Sequence, residues 1–149
     1  MKFPLFVLAA LVICLGGKVE KVKSTSQEWV GGLRESGYGT DYRITVRVNA
    51  GSSQLSFGDL WVDGVHMKVR MSDPSNLNLK EFSKGSLVTL RAGFTLKPDS
   101  DGRTLLAGAD SLIAPVSPRG RGLLAYTYKG KKAYFQIADF EKLEKIIYP

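Results

Sequence analysis

Over residues 41–49 apolar and polar side chains alternate, with Tyr42, Ile44, Val46 and Val48 on one side and Arg43, Thr45 and Arg47 on the other. Period two is the geometry of a strand with one buried and one solvated face. Residues 54–71 carry the same signal in two runs, Leu60-Trp61-Val62 and Val65 to Met71, separated by Asp63-Gly64. Asp-Gly between β-rich runs predicts a hairpin, because both turn positions tolerate positive φ. In the second run Val65, Met67, Val69 and Met71 share a face, which turns His66, Lys68 and Arg70 toward solvent. Val88, Leu90 and Ala92 predict a core-facing strand within residues 86–94. Residues 123–128 and 132–137 predict a last hairpin around Lys129-Gly130-Lys131, with Leu124, Tyr126 and Tyr128 in register with Ala133, Phe135 and Ile137. Residues 72–78, 97–103 and 114–122 are rich in proline, glycine and aspartate or serine, and read as connections.

Short strands punctuated by such turns, with no regular alternation with helices, define an all-β fold. An antiparallel β-sandwich is expected, immunoglobulin-like in preference to a small barrel. The tail admits two readings. Asp139 is placed to cap a short helix with Phe140, Leu143 and Ile147 along one side and Glu141 paired with Lys145; a last edge strand is the alternative.

The N-terminus has a different pattern. Lys2 precedes an uncharged apolar run over residues 3–15, followed by Gly16 and Gly17, which is the layout of an export signal spanning residues 1–17. The run is short of the ~20 apolar residues that span a bilayer. Cys14, the single cysteine, excludes a disulfide framework. Leu11-Val12-Ile13-Cys14 resembles the lipobox of bacterial lipoproteins, with Ile13 where that motif has a small residue. Two outcomes stay open: lipidation of Cys14, which anchors the chain to a membrane, or its removal with a signal cut after Gly16 or Gly17. Residues 18–28 are polar and aperiodic and read as a tether. Residues 29–149 are then one β domain, long enough to bury a core without metal or disulfide.

Charge and chemistry narrow the function classes. Lys and Arg number 21 against 14 Asp and Glu. On an exported chain this excess favours anionic lipid, acidic glycan or an envelope protein over nucleic acid. Arg119, Arg121, Lys129, Lys131 and Lys132 are a candidate basic rim, provided that the 114–122 connection and the hairpin tip meet. His66 is the single histidine and has no adjacent nucleophile, so no catalytic set is expected; with one histidine and one signal cysteine, neither is a zinc site. Asp99-Ser100-Asp101-Gly102 resembles the start of a calcium loop but lacks the later ligands, and reads as a β-turn. The glycine-rich stretch 29–40 lacks the Lys-Ser or Lys-Thr ending of a phosphate loop. Trp29, Tyr38 and Trp61 form a sugar-stacking platform if they converge, and are core residues otherwise. No cofactor is implied.

With its signal, tether, aromatic-rich body and ending Phe140-Glu-Lys-Leu-Glu-Lys-Ile-Ile-Tyr-Pro149, the chain resembles small exported bacterial proteins and lipoproteins of unknown function. The resemblance implies an envelope or secreted location, with membrane contact through the signal or a lipid anchor. The expected function is that of a non-enzymatic binding or structural domain. The alternative is a glycan-active hydrolase using two carboxylates among Asp59, Asp63, Asp99 and Asp101, which requires a pair about 5 to 9.5 Å apart.

Overall fold

The alternating segments fold into strands of two facing sheets. The structure is a computed structural model and describes residues 17–149 other than Pro74 and Asn76. The strands are β1 (Val19–Val30), β2 (Tyr38–Val48), β3 (Leu55–Val62), β4 (Val65–Lys68), β5 (Arg70–Ser72), β6 (Leu87–Pro98), β7 (Thr104–Ala107), β8 (Ala109–Asp110), β9 (Gly122–Tyr128), β10 (Lys131–Ile137), β11 (Glu141–Lys142) and β12 (Ile146–Ile147). Sheet A runs β11-β1-β2-β6-β5, with β12 also on β1 and β7 also on β6; sheet B runs β10-β9-β3-β4-β8. All pairings are antiparallel except those of β11 and β12, which lie parallel to β1. The sheets form a β-sandwich and do not close into a barrel.

The inner faces supply the core. Ile44, Val46 and Val48 from β2, with Val88 and Leu90 from β6, meet Leu55 and Leu60 from β3, Met67 from β4, Leu124 from β9 and Ile137 from β10; all are fully buried or nearly so. Each such side chain contributes about 1.5–3 kcal/mol by leaving water. The predicted turns carry the required backbone: Asp63 and Gly64 have φ of 50° and 81°, and Lys129 and Gly130 have 48° and 77°.

Two expectations are corrected, and the open choice at the tail is decided. Residues 18–28 are not a tether, since Val19–Val30 pair along β2 from Val19↔Val48 to Val30↔Tyr38. The strand shows no apolar period because its middle inward positions are serines. Ser24 opposes Ile44 and gives its hydroxyl to the Asp139 carbonyl at 2.7 Å, and Ser26 opposes Tyr42. The exposed start of β1, charged and bulged between Lys21 and Lys23, is a poor template for further strands.

Of the two readings of the tail, the edge strand is the one observed. Thr25 pairs with Glu141 and Val30 with Ile147, so the last residues extend along the outer edge of β1. Glu141 and Lys145 do not pair with each other. Lys23 lies 4.0 Å from Glu141, and Lys145 lies 3.7 Å from Glu28. Edge pairing satisfies backbone groups that a two-turn helix would leave open at both ends.

The run Val65 to Met71 is not one strand. The chain passes from sheet B to sheet A at Val69, and it returns at Gly108, whose φ of 82° permits the corner. Both crossings lie on the same side of the sandwich, and the first brings Arg70 onto the outer face of sheet A.

Candidate functional site

Inward Tyr42 and Ile44 force Arg43 outward on β2, and inward Leu90 and Ala92 do the same for Arg91 on β6. Arg43 lies directly opposite Arg91, and Arg91 directly opposite Arg70 on β5. Neighbouring strands lie about 4.8 Å apart, so three arginines occupy one row about 10 Å long. Like charges directly opposite one another destabilise a sheet. Among the described residues, neither Arg43 nor Arg70 has an ion-pair partner within 4.0 Å.

Two further rows flank the arginines, and one of them opens onto a cavity. On one side, Thr45, Thr89 and Ser72 face one another across the same strands, with the two threonine hydroxyls 3.3 Å apart. On the other, Asp41 opposes Gly93, and a Cβ at Gly93 would collide with the Asp41 Oδ1, so the glycine makes room for that carboxylate. Burial pushes the Asp41 carboxyl above its ordinary 3.8, against the opposing pull of Arg43, Arg91 and Arg70. A cavity of about 240 Å³ opens here, lined by Asp41, Arg43, Arg70, Arg91, Gly93 and Thr95 among others. Cationic donors with one carboxylate acceptor suit a ligand that carries both negative charge and hydroxyl groups.

The outer face of sheet B is organised otherwise. His66 is not turned to solvent; it is 3% exposed. Its Nε2 lies 2.7 Å from Asp59 Oδ1 on β3, its Nδ1 lies 2.8 Å from Asp110 Oδ1 on β8, and Lys68 Nζ donates to Asp59 at 2.7 Å. The Trp61 ring covers the imidazole at 5.0 Å between centroids, and Trp61 Nε1 donates to the Leu112 carbonyl at 2.9 Å. Trp61, Leu123 and Ala125 form a second small core beneath Ala114 and Tyr134. The connection after β8 therefore covers the face that period two assigned to water. Burial pushes the Asp59 carboxyl up, but hydrogen bonds from Lys68 and His66 outweigh it and hold the group below 3.8. The Leu112 amide, and then His66, hold Asp110 below that value as well. Both imidazole nitrogens face carboxylates and neither faces a nucleophile, so the cluster ties β3, β4 and β8 together.

The expected basic rim does not assemble at one place. Gly122↔Ile137 and Tyr128↔Lys131 mark opposite ends of the last hairpin, and its seven-residue strands separate those ends by about 20 Å. Arg119 and Arg121 lie at one end, and Lys129, Lys131 and Lys132 at the other. Arg121 donates to Asp63 Oδ2 at 2.8 Å and to Asp139 Oδ1 at 3.3 Å. Those bonds raise its already high pKa.

The expected carboxylates Asp59, Asp63 and Asp99 are each engaged in the local structure. Asp59 and Asp63 are four residues apart on an extended segment, about 13 Å, and each is engaged by different cations. Asp99 Oδ1 accepts from the Asp101 and Arg103 amides, both at 2.8 Å, which is turn geometry. Trp29 packs edge-on to Tyr148 at 6.3 Å, in the other sheet from Trp61, so no aromatic platform forms. Cys14 lies outside the described residues. Sequence reasoning missed the arginine row because its third member sits beyond the sheet crossing; the outward Arg43 and Arg91 were the available signal. Compared with known protein families, curated proteins and solved structures, the chain matches none of them.

Proposed function

We propose that the chain is an exported, non-enzymatic β domain of the cell envelope that binds an acidic surface polysaccharide on the outer face of sheet A. The in-register row Arg43–Arg91–Arg70 carries this reading. Guanidinium groups on three adjacent strands offer planar, charged donors to the oxygens of an anion. Asp41 and Thr95, which line the same cavity, supply a carboxylate acceptor and a hydroxyl for sugar hydroxyls. This favours a carboxylated glycan over a bare inorganic anion.

Affinity for polygalacturonate, with dextran as the uncharged comparison, tests the proposal. Binding is expected to polygalacturonate alone and to weaken with salt. Arg43→Gln and Arg70→Gln should each weaken it about tenfold, the value of a charge-assisted hydrogen bond. Affinity unchanged by either substitution, or equal binding to dextran, overturns the assignment.

A further inference from the structure

We infer that the end of the sandwich from which residues 1–16 continue is a docking surface for an anionic lipid bilayer. Four segments meet there. Asn49 Nδ2 donates to the Gly17 carbonyl at 2.9 Å and the Asn49 amide to the Lys18 carbonyl at 2.8 Å, which fixes the entry of the chain. The Ser52 amide donates to the Phe82 carbonyl, the Gly85 amide to the Val48 carbonyl, and the Lys129 amide to the Gln54 carbonyl, at 3.0, 2.7 and 2.8 Å. These bonds gather residues 17–18, 49–54, 80–86 and 129–132 at one end.

The gathered segments carry Lys18, Lys80, Lys84, Lys129, Lys131 and Lys132 against the single acid Glu81. Among the described residues none of the six lysines has an ion-pair partner within 4.0 Å. The opposite end is balanced: Arg34, Lys97 and Arg103 accompany Glu35, Asp99 and Asp101. At the basic end Tyr128 holds two of the ammonium groups over its ring, Lys18 at 4.9 Å and Lys129 at 5.4 Å, an aromatic body with cationic neighbours suited to the headgroup layer.

Charge alone does not choose between a bilayer and an acidic protein. The sequence does, because the uncharged apolar run of residues 3–15 is continuous with this end through Gly16 and Gly17. A chain held in a membrane by that run, or by a lipid on Cys14, brings these lysines within about a Debye length of the headgroups, where an anionic surface attracts each of them. The arginine row then sits on a lateral face, clear of the membrane.

The test uses the full-length chain reconstituted on vesicles of phosphatidylcholine alone or mixed with phosphatidylglycerol, with lysine acylation resolved by residue in a mass spectrometer. Lys18, Lys84, Lys129 and Lys131 should label several-fold more slowly on the anionic vesicles, while Lys97 and Lys142 label equally on both. The protection should vanish at about 1 M salt, where the Debye length falls to roughly 3 Å. The exposed substitutions Lys84→Glu and Lys131→Glu, made together, should abolish the protection of Lys18 and Lys129. Equal labelling on both vesicles, or protection that survives the double substitution, overturns the inference. So does equal protection on phosphatidylcholine vesicles by added polyglutamate, which assigns the end to an acidic polypeptide.

Discussion

The two outer faces of the sandwich carry similar residue types and use them in opposite ways. On sheet B, His66 and Lys68 meet Asp59 and Asp110 within the fold, and Trp61 closes over the imidazole. On sheet A, Arg43, Arg91 and Arg70 are in register on adjacent strands, and Asp41 lines the same cavity. One face uses its charges to hold strands together, and the other keeps cationic charge together in a cavity. Ionisable residues on a strand are therefore poor indicators of function until their cross-strand partners are known.

The contrast is sharpest in mutational energetics. Trp61→Ala should have the largest effect, about 3–5 kcal/mol of destabilisation by denaturant titration, because it empties the second core. His66→Ala leaves Asp59 partly buried without one of its donors, and a loss of about 2 kcal/mol is expected in the same measurement. Arg70→Gln on the other face should change stability by less than about 1 kcal/mol, and in the favourable direction, because it relieves a like-charge pair. A loss above 2 kcal/mol from Arg70→Gln would erase the distinction between the faces.

Acid titration separates the faces by sign. Asp59 and Asp110 lie below their ordinary 3.8, so their stabilising contribution is complete above that pH and is lost as pH falls through their folded values. Asp41 lies above 3.8, so its ionisation reduces stability as pH rises from 3.8 through its folded value. Unfolding free energies measured from pH 2 to 6 should show a flattened acid limb in Asp59→Asn and, once pH has passed the folded value of Asp41, a small gain in Asp41→Asn. Matching slopes in the two variants would contradict the assignment. The smallest effect should come from Gly93→Ala, whose added methyl displaces the Asp41 carboxylate; it is expected to lower polygalacturonate affinity more than stability.

Much of the architecture was legible. The alternation of β2, the core side of β6 and the two positive-φ turns follow from residue identity at period two. What escaped depends on contacts distant in sequence. β1 is held by its ladder and by Ser24 bonded to Asp139, so no apolar period announces it. His66 has the local pattern of a solvated residue and is covered by a connection some fifty residues later, through Trp61 and Leu112. The arginine row needs the chain to change sheets at Val69, a non-glycine position with no local signal. The basic rim was half legible: Lys129, Lys131 and Lys132 belong together, whereas Arg121 is engaged by Asp63 and Asp139 at the other end of the hairpin.

The parallel pairing of residues 141–147 with β1 also sets the timing of folding. Thr25 meets Glu141, and Val30 meets Ile147, so this edge of β1 stays open until residues 141–147 have been synthesised. Contacts this distant in sequence form slowly. A ribosome-bound chain would therefore hold β1 unsealed, and a chain ending at Ala138 would present that edge to other molecules as a site for intermolecular strand addition.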